Sequence, residues 1–191
     1  MAAVSVSVYF LMCVILQMGW CQQQQVCLSC PGELRNTSEV SRHCSLTPGA
    51  RILGRCCVTD HAQSHVIIGL DLWNCSLSHL DPGVRLTAAA AVIDISQNPL
   101  QELPPDFFQG LTGLEYIALP VNISCPGGEG AWESATVTAG AQICQQQRDA
   151  CNTTGGQALL CPENSLCAPD GPGYTQCVCA SGFMGYKCLR Q

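Results

Sequence analysis

Leu70-Asp-Leu72-Trp-Asn-Cys75-Ser-Leu77 and Ile93-Asp-Ile95-Ser-Gln-Asn98-Pro-Leu100 are the stretches whose reading decides the fold. Both follow the pattern L-x-L-x-x-N/C-x-L, and the step from Leu70 to Ile93 sets a period. A third, partial copy, Ile117-Ala-Leu119-Pro-Val-Asn122, starts almost the same step after the second. Between these last two, Leu103-Pro-Pro-Asp-Phe107-Phe108-Gln-Gly-Leu111-Thr-Gly-Leu114 supplies apolar filling. Self-similarity at such a period marks stacked supersecondary units. Alternate apolar side chains of each short strand point inward and stack on the neighbouring copy. The Asn or Cys at the corner satisfies backbone groups that a tight turn leaves unpaired. Three copies are the practical minimum for a continuous core, so the two ends need covers.

This is the strand-and-turn of a leucine-rich repeat, assigned to residues 68–124. Cysteine-rich caps flank it. The N-terminal cap, 22–67, contains Cys27, Cys30, Cys44, Cys56 and Cys57, and Cys75 follows inside the first repeat. In the C-terminal cap, 125–150, Cys125 and Cys144 bracket a segment with Trp132 that closes the open end. The repeat consensus allows a buried free thiol at Cys75, so the pairing of these eight cysteines stays open. Cys27-Leu-Ser-Cys30 and the His61/His65 pair suggest zinc by spacing alone. No matching cysteine pair lies near the histidines, and Pro31-Gly32 breaks any helix that a redox motif requires. No metal site is expected.

The end of the chain carries Cys151-x9-Cys161-x5-Cys167-x9-Cys177-x-Cys179-x8-Cys188, closing with Gly182-Phe183-Met-Gly185-Tyr186-Lys-Cys188. Residues 151–188 thus resemble an EGF-like domain, followed by a tail at 189–191. Spacing alone leaves fifteen connectivities open. The resemblance implies first with third, second with fourth and fifth with sixth: Cys151–Cys167, Cys161–Cys177 and Cys179–Cys188. A calcium-binding version needs oxygen ligands before its first cysteine and a matching one in the loop after its third. Here Gln147-Arg148-Asp149-Ala150 precedes Cys151 and Asp170 is offset, so no calcium is expected.

The chain has 191 residues, 16 cysteines, only 12% charged residues and a net charge of −6. So many cysteines point to an oxidising compartment and to small modules. The acidic balance excludes a nucleic-acid binder, whose footprint is basic. Four of the eight basic residues, Arg35, Arg42, Arg51 and Arg55, fall in one stretch and are read as a solvated face. Residues 1–21 read as a secretory signal peptide, with the apolar run Val8–Leu16 and small residues Gly19 and Cys21 before the cleavage point. Its removal takes Cys13 and Cys21 and leaves an even fourteen. No later apolar run reaches spanning length; Leu86–Ile95 is too short. Sequons stand at Asn36, Asn74, Asn122 and Asn152, with Asn36 and Asn152 in polar loop sequence. No nucleophile elbow, phosphate loop or dinucleotide fingerprint occurs, and His43, His61, His65 and His79 read as surface or cap residues. No catalytic residue, cofactor or small-molecule substrate is expected.

These parts together resemble the all-trans retinoic acid-induced differentiation factor family. The carrying stretches are Ile68–Leu77, Phe108–Leu114, Cys125-Pro-Gly-Gly128 with Ala131-Trp132, and above all Cys161–Cys167, Pro169–Gly173, Cys177–Ala180 and Gly185–Cys188. The resemblance implies a glycosylated single-pass membrane protein linked to growth arrest and differentiation, notably of osteoblasts and mineralising bone. It implies protein partners: a secreted osteogenic glycoprotein, or a lysosomal solute carrier for which the luminal part is an accessory subunit. The family carries a transmembrane helix shortly after the EGF-like module, whereas this sequence stops at Leu189-Arg-Gln191. That ending implies a secreted form, a soluble decoy of the membrane form, or an incomplete sequence.

The expected fold class is therefore α+β and disulfide-rich: a short leucine-rich coil with cysteine-rich caps, then a small β EGF-like module. The expected partner surfaces are the concave repeat face, near Asp71, Trp73, Asp94, Ser96, Tyr116 and Ala118, and the EGF loop Asp170–Tyr174. Trp73, Tyr116, Asp170 and Tyr174 are the candidate contacts; Trp73 and Tyr116 read equally as interface anchors and as members of the small core.

Overall fold

The computed structural model describes residues 26–31, 34–61, 64–152 and 161–190. The expected leader over 1–21 lies outside the described residues. Among them no helix is long and apolar enough to cross a membrane.

The three motif copies become three parallel strands: β3 (Ser64–Asp71), β4 (Val92–Asp94) and β5 (Tyr116–Leu119). Their register follows the period of the motif: Gly69–Val92–Tyr116, Leu70–Ile93–Ile117 and Asp71–Asp94–Ala118. Because side chains alternate along a strand, these rows face opposite sides. Leu70, Ile93 and Ile117 point into the main core, with Leu72, Ile95 and Leu119 two positions on. Leu80, Leu100, Phe107, Phe108, Leu111 and Leu114, from the return segments, fill the space behind them.

Antiparallel hairpins extend both ends of this ladder. On one side are β1 (Ala50–Leu53) and β2 (Cys56–His61); on the other are β6 (Trp132–Val137) and β7 (Gln142–Gln147). The result is one seven-stranded sheet, ordered β1-β2-β3-β4-β5-β7-β6. The two cysteine-rich caps thus continue the sheet of the motif copies. Trp132 is 2% exposed and donates its indole N–H to Pro126 O at 2.9 Å, closing the far end of the core.

Among the described residues strands dominate and helices are few, which adjusts the α+β expectation. The segments 72–91 and 95–115 return as turns rather than helices. Pro82, Pro99, Pro104 and Pro105 interrupt them, and proline in a helix interior removes a hydrogen bond and clashes with the preceding turn. The described helix of eight residues, α1 (Glu39–Leu46), lies before the sheet in sequence. The hydroxyl oxygen of Ser38 caps it by accepting from Ser41 N. Val40 and Cys44, one turn apart, form its buried stripe.

Seven disulfides join all fourteen cysteines from 27 to 188. Adjacent Cys56 and Cys57 point to opposite faces of β2. Cys56 bonds Cys27 on the core side, and Cys57 bonds Cys44 of α1 on the other. Cys75 is bonded to Cys30, and Cys125 to Cys144. In the C-terminal module β8 (Ser165–Pro169) pairs with β9 (Thr175–Cys179), and Cys151–Cys167, Cys161–Cys177 and Cys179–Cys188 hold the hairpin and final turn.

Candidate functional site

The corner between strands β3 and β4 is organised by Asn98, which is 7% exposed. Its Oδ1 accepts from Cys75 N and Leu77 N at 3.0 Å each, and its Nδ2 donates to Leu72 O and Ile95 O at 2.8 Å each. One amide therefore ties two successive copies together. Asn74 and Gln97, at equivalent positions of the two copies, both take the left-handed conformation at φ near 52° and 57°.

On the opposite face, α1 lies against the sheet. Val40 and Cys44 pack with Leu34, Cys57, Ile68 and Val92, with Tyr116 at the margin. The sheet admits the helix at Gly69, where a Cβ would stand 2.8 Å from Val40 Cγ1. Beside this contact, Asp71 and Asp94 stand in register on neighbouring strands. Asp71 Oδ1 accepts from Trp73 N, and Asp94 Oδ1 accepts from Ser96 N and Ser96 Oγ at 3.0 and 2.6 Å. The turn before α1 lays Arg35 across both. Its Nη2 is 2.7 Å from Asp94 Oδ2, its Nε 3.6 Å from Asp71 Oδ2, and its guanidinium carbon 4.0 Å from the Trp73 ring centroid. Burial pushes the Asp94 carboxyl up; hydrogen bonds from Ser96 oppose it, Asp71 reinforces it, and Arg35 opposes it. Burial also pushes the Tyr116 hydroxyl up, to about 12.

These contacts correct the expectation of an open recognition face. Asp71, Asp94, Ser96 and Ala118 are buried, Trp73 lies beneath Arg35, and Tyr116 is half-buried. The helix covers the face because Val40, Cys44 and the Cys44–Cys57 bond require it. The arginine stretch divides likewise. Arg42 and Arg51 are exposed, but Arg35 is half-buried and Arg55 is 7% exposed, donating to Pro31 O at 2.7 Å. Sequence reasoning missed Arg35 as a site residue. The readable signal was the Ser38-Glu39 start with Val40 and Cys44 four apart, which places a helix directly after it.

The Asp170–Gly173 segment is also partly spent on internal contacts. Asp170 O accepts from Gly110 N at 3.2 Å, and its Oδ2 accepts from Gln109 Nε2 at 3.3 Å. A Cβ on Gly171 would lie 2.5 Å from Phe108 O. Gly171 and Pro172 are buried there and Gly173 is half-buried, whereas Tyr174 is 64% exposed. Of the four candidate contacts, Tyr174 alone stands clear of neighbours in this way.

Asn36, Asn74, Asn122 and Asn152 all keep solvent exposure. Asn122 Nδ2 donates to Leu100 O and Asn152 Nδ2 to Asp149 Oδ2, each at 2.9 Å; Cys75, in the middle of the Asn74 sequon, is disulfide-bonded. His65 Nδ1 lies 2.6 Å from Asp60 Oδ1; that hydrogen bond, with Arg51 nearby, holds the Asp60 carboxyl below its usual value. His43 lies 3.5 Å from Glu115.

A family model described as "ATRAID-like, EGF domain" matches residues 161–190. Over 167 residues, 87% of this chain, the sequence is 46% identical to a Mus musculus protein named "All-trans retinoic acid-induced differentiation factor", covering 73% of it. It is 44% identical over 167 residues to the Homo sapiens protein of that name, covering 71% of it. The Danio rerio protein of that name is 43% identical over 168 residues, with 72% covered. No solved structure matches.

Proposed function

Because the chain belongs to the all-trans retinoic acid-induced differentiation factor family, we propose that it is a non-enzymatic interaction protein of the secretory pathway. In this reading it promotes cell differentiation and growth arrest, with osteoblasts and mineralising bone as the setting. The observation that carries the reading is the shared name of relatives 43–46% identical over 87% of the chain. The closed set of seven disulfides supports an oxidising compartment, since a reducing one keeps such thiols free. The evenly spaced, in-register parallel strands, with Asn98 bonded into the corner, support reading residues 68–124 as a short leucine-rich coil. Tyr174 is the contact we assign to the EGF-like module, a large amphipathic side chain free to enter a partner's pocket.

The test is expression in mammalian cells, separation of cytosol, lumen and medium, and addition of the purified chain to osteoblast precursors. The expected product is fully oxidised, shifts in mass on glycosidase treatment and raises mineral deposition. Tyr174→Ala should weaken that response without lowering the yield of oxidised protein. A cytosolic, reduced and unglycosylated product refutes the compartment. An oxidised product that leaves differentiation unchanged refutes the role.

A further inference from the structure

Asp71 and Asp94 occupy equivalent positions in successive motif copies, and the third copy has Ala118 there. Two carboxylates are thus stacked on neighbouring parallel strands, roughly 5 Å apart by the spacing of a sheet. Like charges at that distance repel unless a cation lies between them. Here the cation is Arg35, delivered by the turn before α1 rather than by the strands. Its planar group rests on the Trp73 ring at 4.0 Å and makes one short bond, 2.7 Å to Asp94 Oδ2. This stack of ring, guanidinium and carboxylates is what a guanidinium uses and a compact ammonium cannot match.

The fit is incomplete. Asp71 is 0% exposed, yet among the described residues its Oδ2 has no hydrogen-bond partner, and neither has Arg35 Nε, which stays 3.6 Å away. A buried carboxylate oxygen aimed at a guanidinium and left unbonded marks unused acceptor capacity. The Arg35 side chain retains 31% exposure, so the group is reached from solvent. The chain's net charge of −6 favours the approach of a basic segment.

We propose that Asp71, Asp94 and Trp73 form a recognition site for an arginine side chain, which Arg35 occupies as an internal ligand. A protein partner engages it by presenting an arginine in Arg35's place. This rests on the interaction-protein reading and names the kind of partner that the face accepts. Arg35 competes from within the same chain, so a single external arginine is held off in the resting protein.

Calorimetric titration of the full chain tests this, using a capped pentapeptide with one central arginine and its lysine counterpart. Arg35→Ala should bind the arginine peptide at least tenfold more tightly than the wild type does, and in preference to the lysine peptide. Adding Asp94→Asn to Arg35→Ala should abolish the gain. A folded, fully oxidised Arg35→Ala protein with no arginine preference overturns the proposal. If Arg35→Ala fails to fold, amide exchange of the wild type decides. Saturating arginine peptide should speed exchange at residues 34–38, and unchanged exchange overturns the proposal. Because the assay uses purified protein and no cells, its failure removes the arginine site and leaves the differentiation role to its own test.

Discussion

The Cys30–Cys75 bond is the tie between the N-terminal cap and the first motif copy, and its removal has a calculable cost. Its sequence separation is 45, which in the chain-entropy treatment is worth about 4 kcal/mol at 25 °C. The other bonds shorten that loop. From Cys30 the chain runs back to Cys27, crosses the disulfide to Cys56 and continues to Cys75. A path of about 22 residues lowers the figure to about 3.4 kcal/mol. Cys44–Cys57, at a separation of 13, gives about 2.9 kcal/mol by the same treatment. The Cys30→Ala/Cys75→Ala protein should therefore lose about 3–4 kcal/mol, a large share of the roughly 5–15 kcal/mol that stabilises a domain. The assay is urea unfolding under non-reducing conditions, with alkylation of denatured wild type as the control. Labelling at Cys75 in the wild type, or a loss under about 1 kcal/mol, would falsify this account of how the cap is closed.

Two further outcomes follow from the same corner and its neighbouring face. Asn98→Ala strips partners from the N–H groups of Cys75 and Leu77 and from the carbonyls of Leu72 and Ile95. It should cost about 3 kcal/mol or more, while Asn122→Ala, which removes one part-buried hydrogen bond of an exposed side chain, should cost no more than about 1 kcal/mol; thermal unfolding compares them. Asp94 is held above the ordinary value of 3.8, so its folded state keeps a proton that the unfolded state releases. The stability it contributes is fully present below pH 3.8 and is lost as pH rises through the raised value. The stability of Asp94→Asn relative to wild type should thus move in the variant's favour as pH rises across that window. A shift in the opposite direction in paired melts refutes the burial-dominated environment.

Legibility divided along the range of the interactions. The spacing of Leu70, Ile93 and Ile117 is the register of three parallel strands, because equal lengths of chain must make equal circuits. The asparagine at 98 was readable as a corner residue because its bonds stay within two copies. Nothing local disclosed that Arg35 lies 59 residues from its ion-pair partner Asp94, or that Gln109 and Asp170 meet across 61. Exposure was misjudged in the same places. Alternation along β3 and β4 places Asp71 and Asp94 opposite the core, and a side chain opposite the core is solvated only if nothing else covers it. Glycine carried the missing information silently. Gly69 admits α1 and Gly171 admits the Phe108 carbonyl, yet each looks in sequence like any other glycine.

The sequence by itself determined the modules: the repeated strand motif, the six-cysteine ending and the cysteine-rich segments around the repeats. These follow from short-range periodicity, which acts on whatever chain carries it. Only the tertiary structure decided which face stays open and how the eight remaining cysteines pair. Disulfide partners must lie within about 7 Å between Cα atoms, and the packing of α1 and both hairpins brings them there. The same packing turns Arg35 inward over Asp71 and Asp94, making a partly buried ion cluster of residues that local pattern alone assigns to solvent.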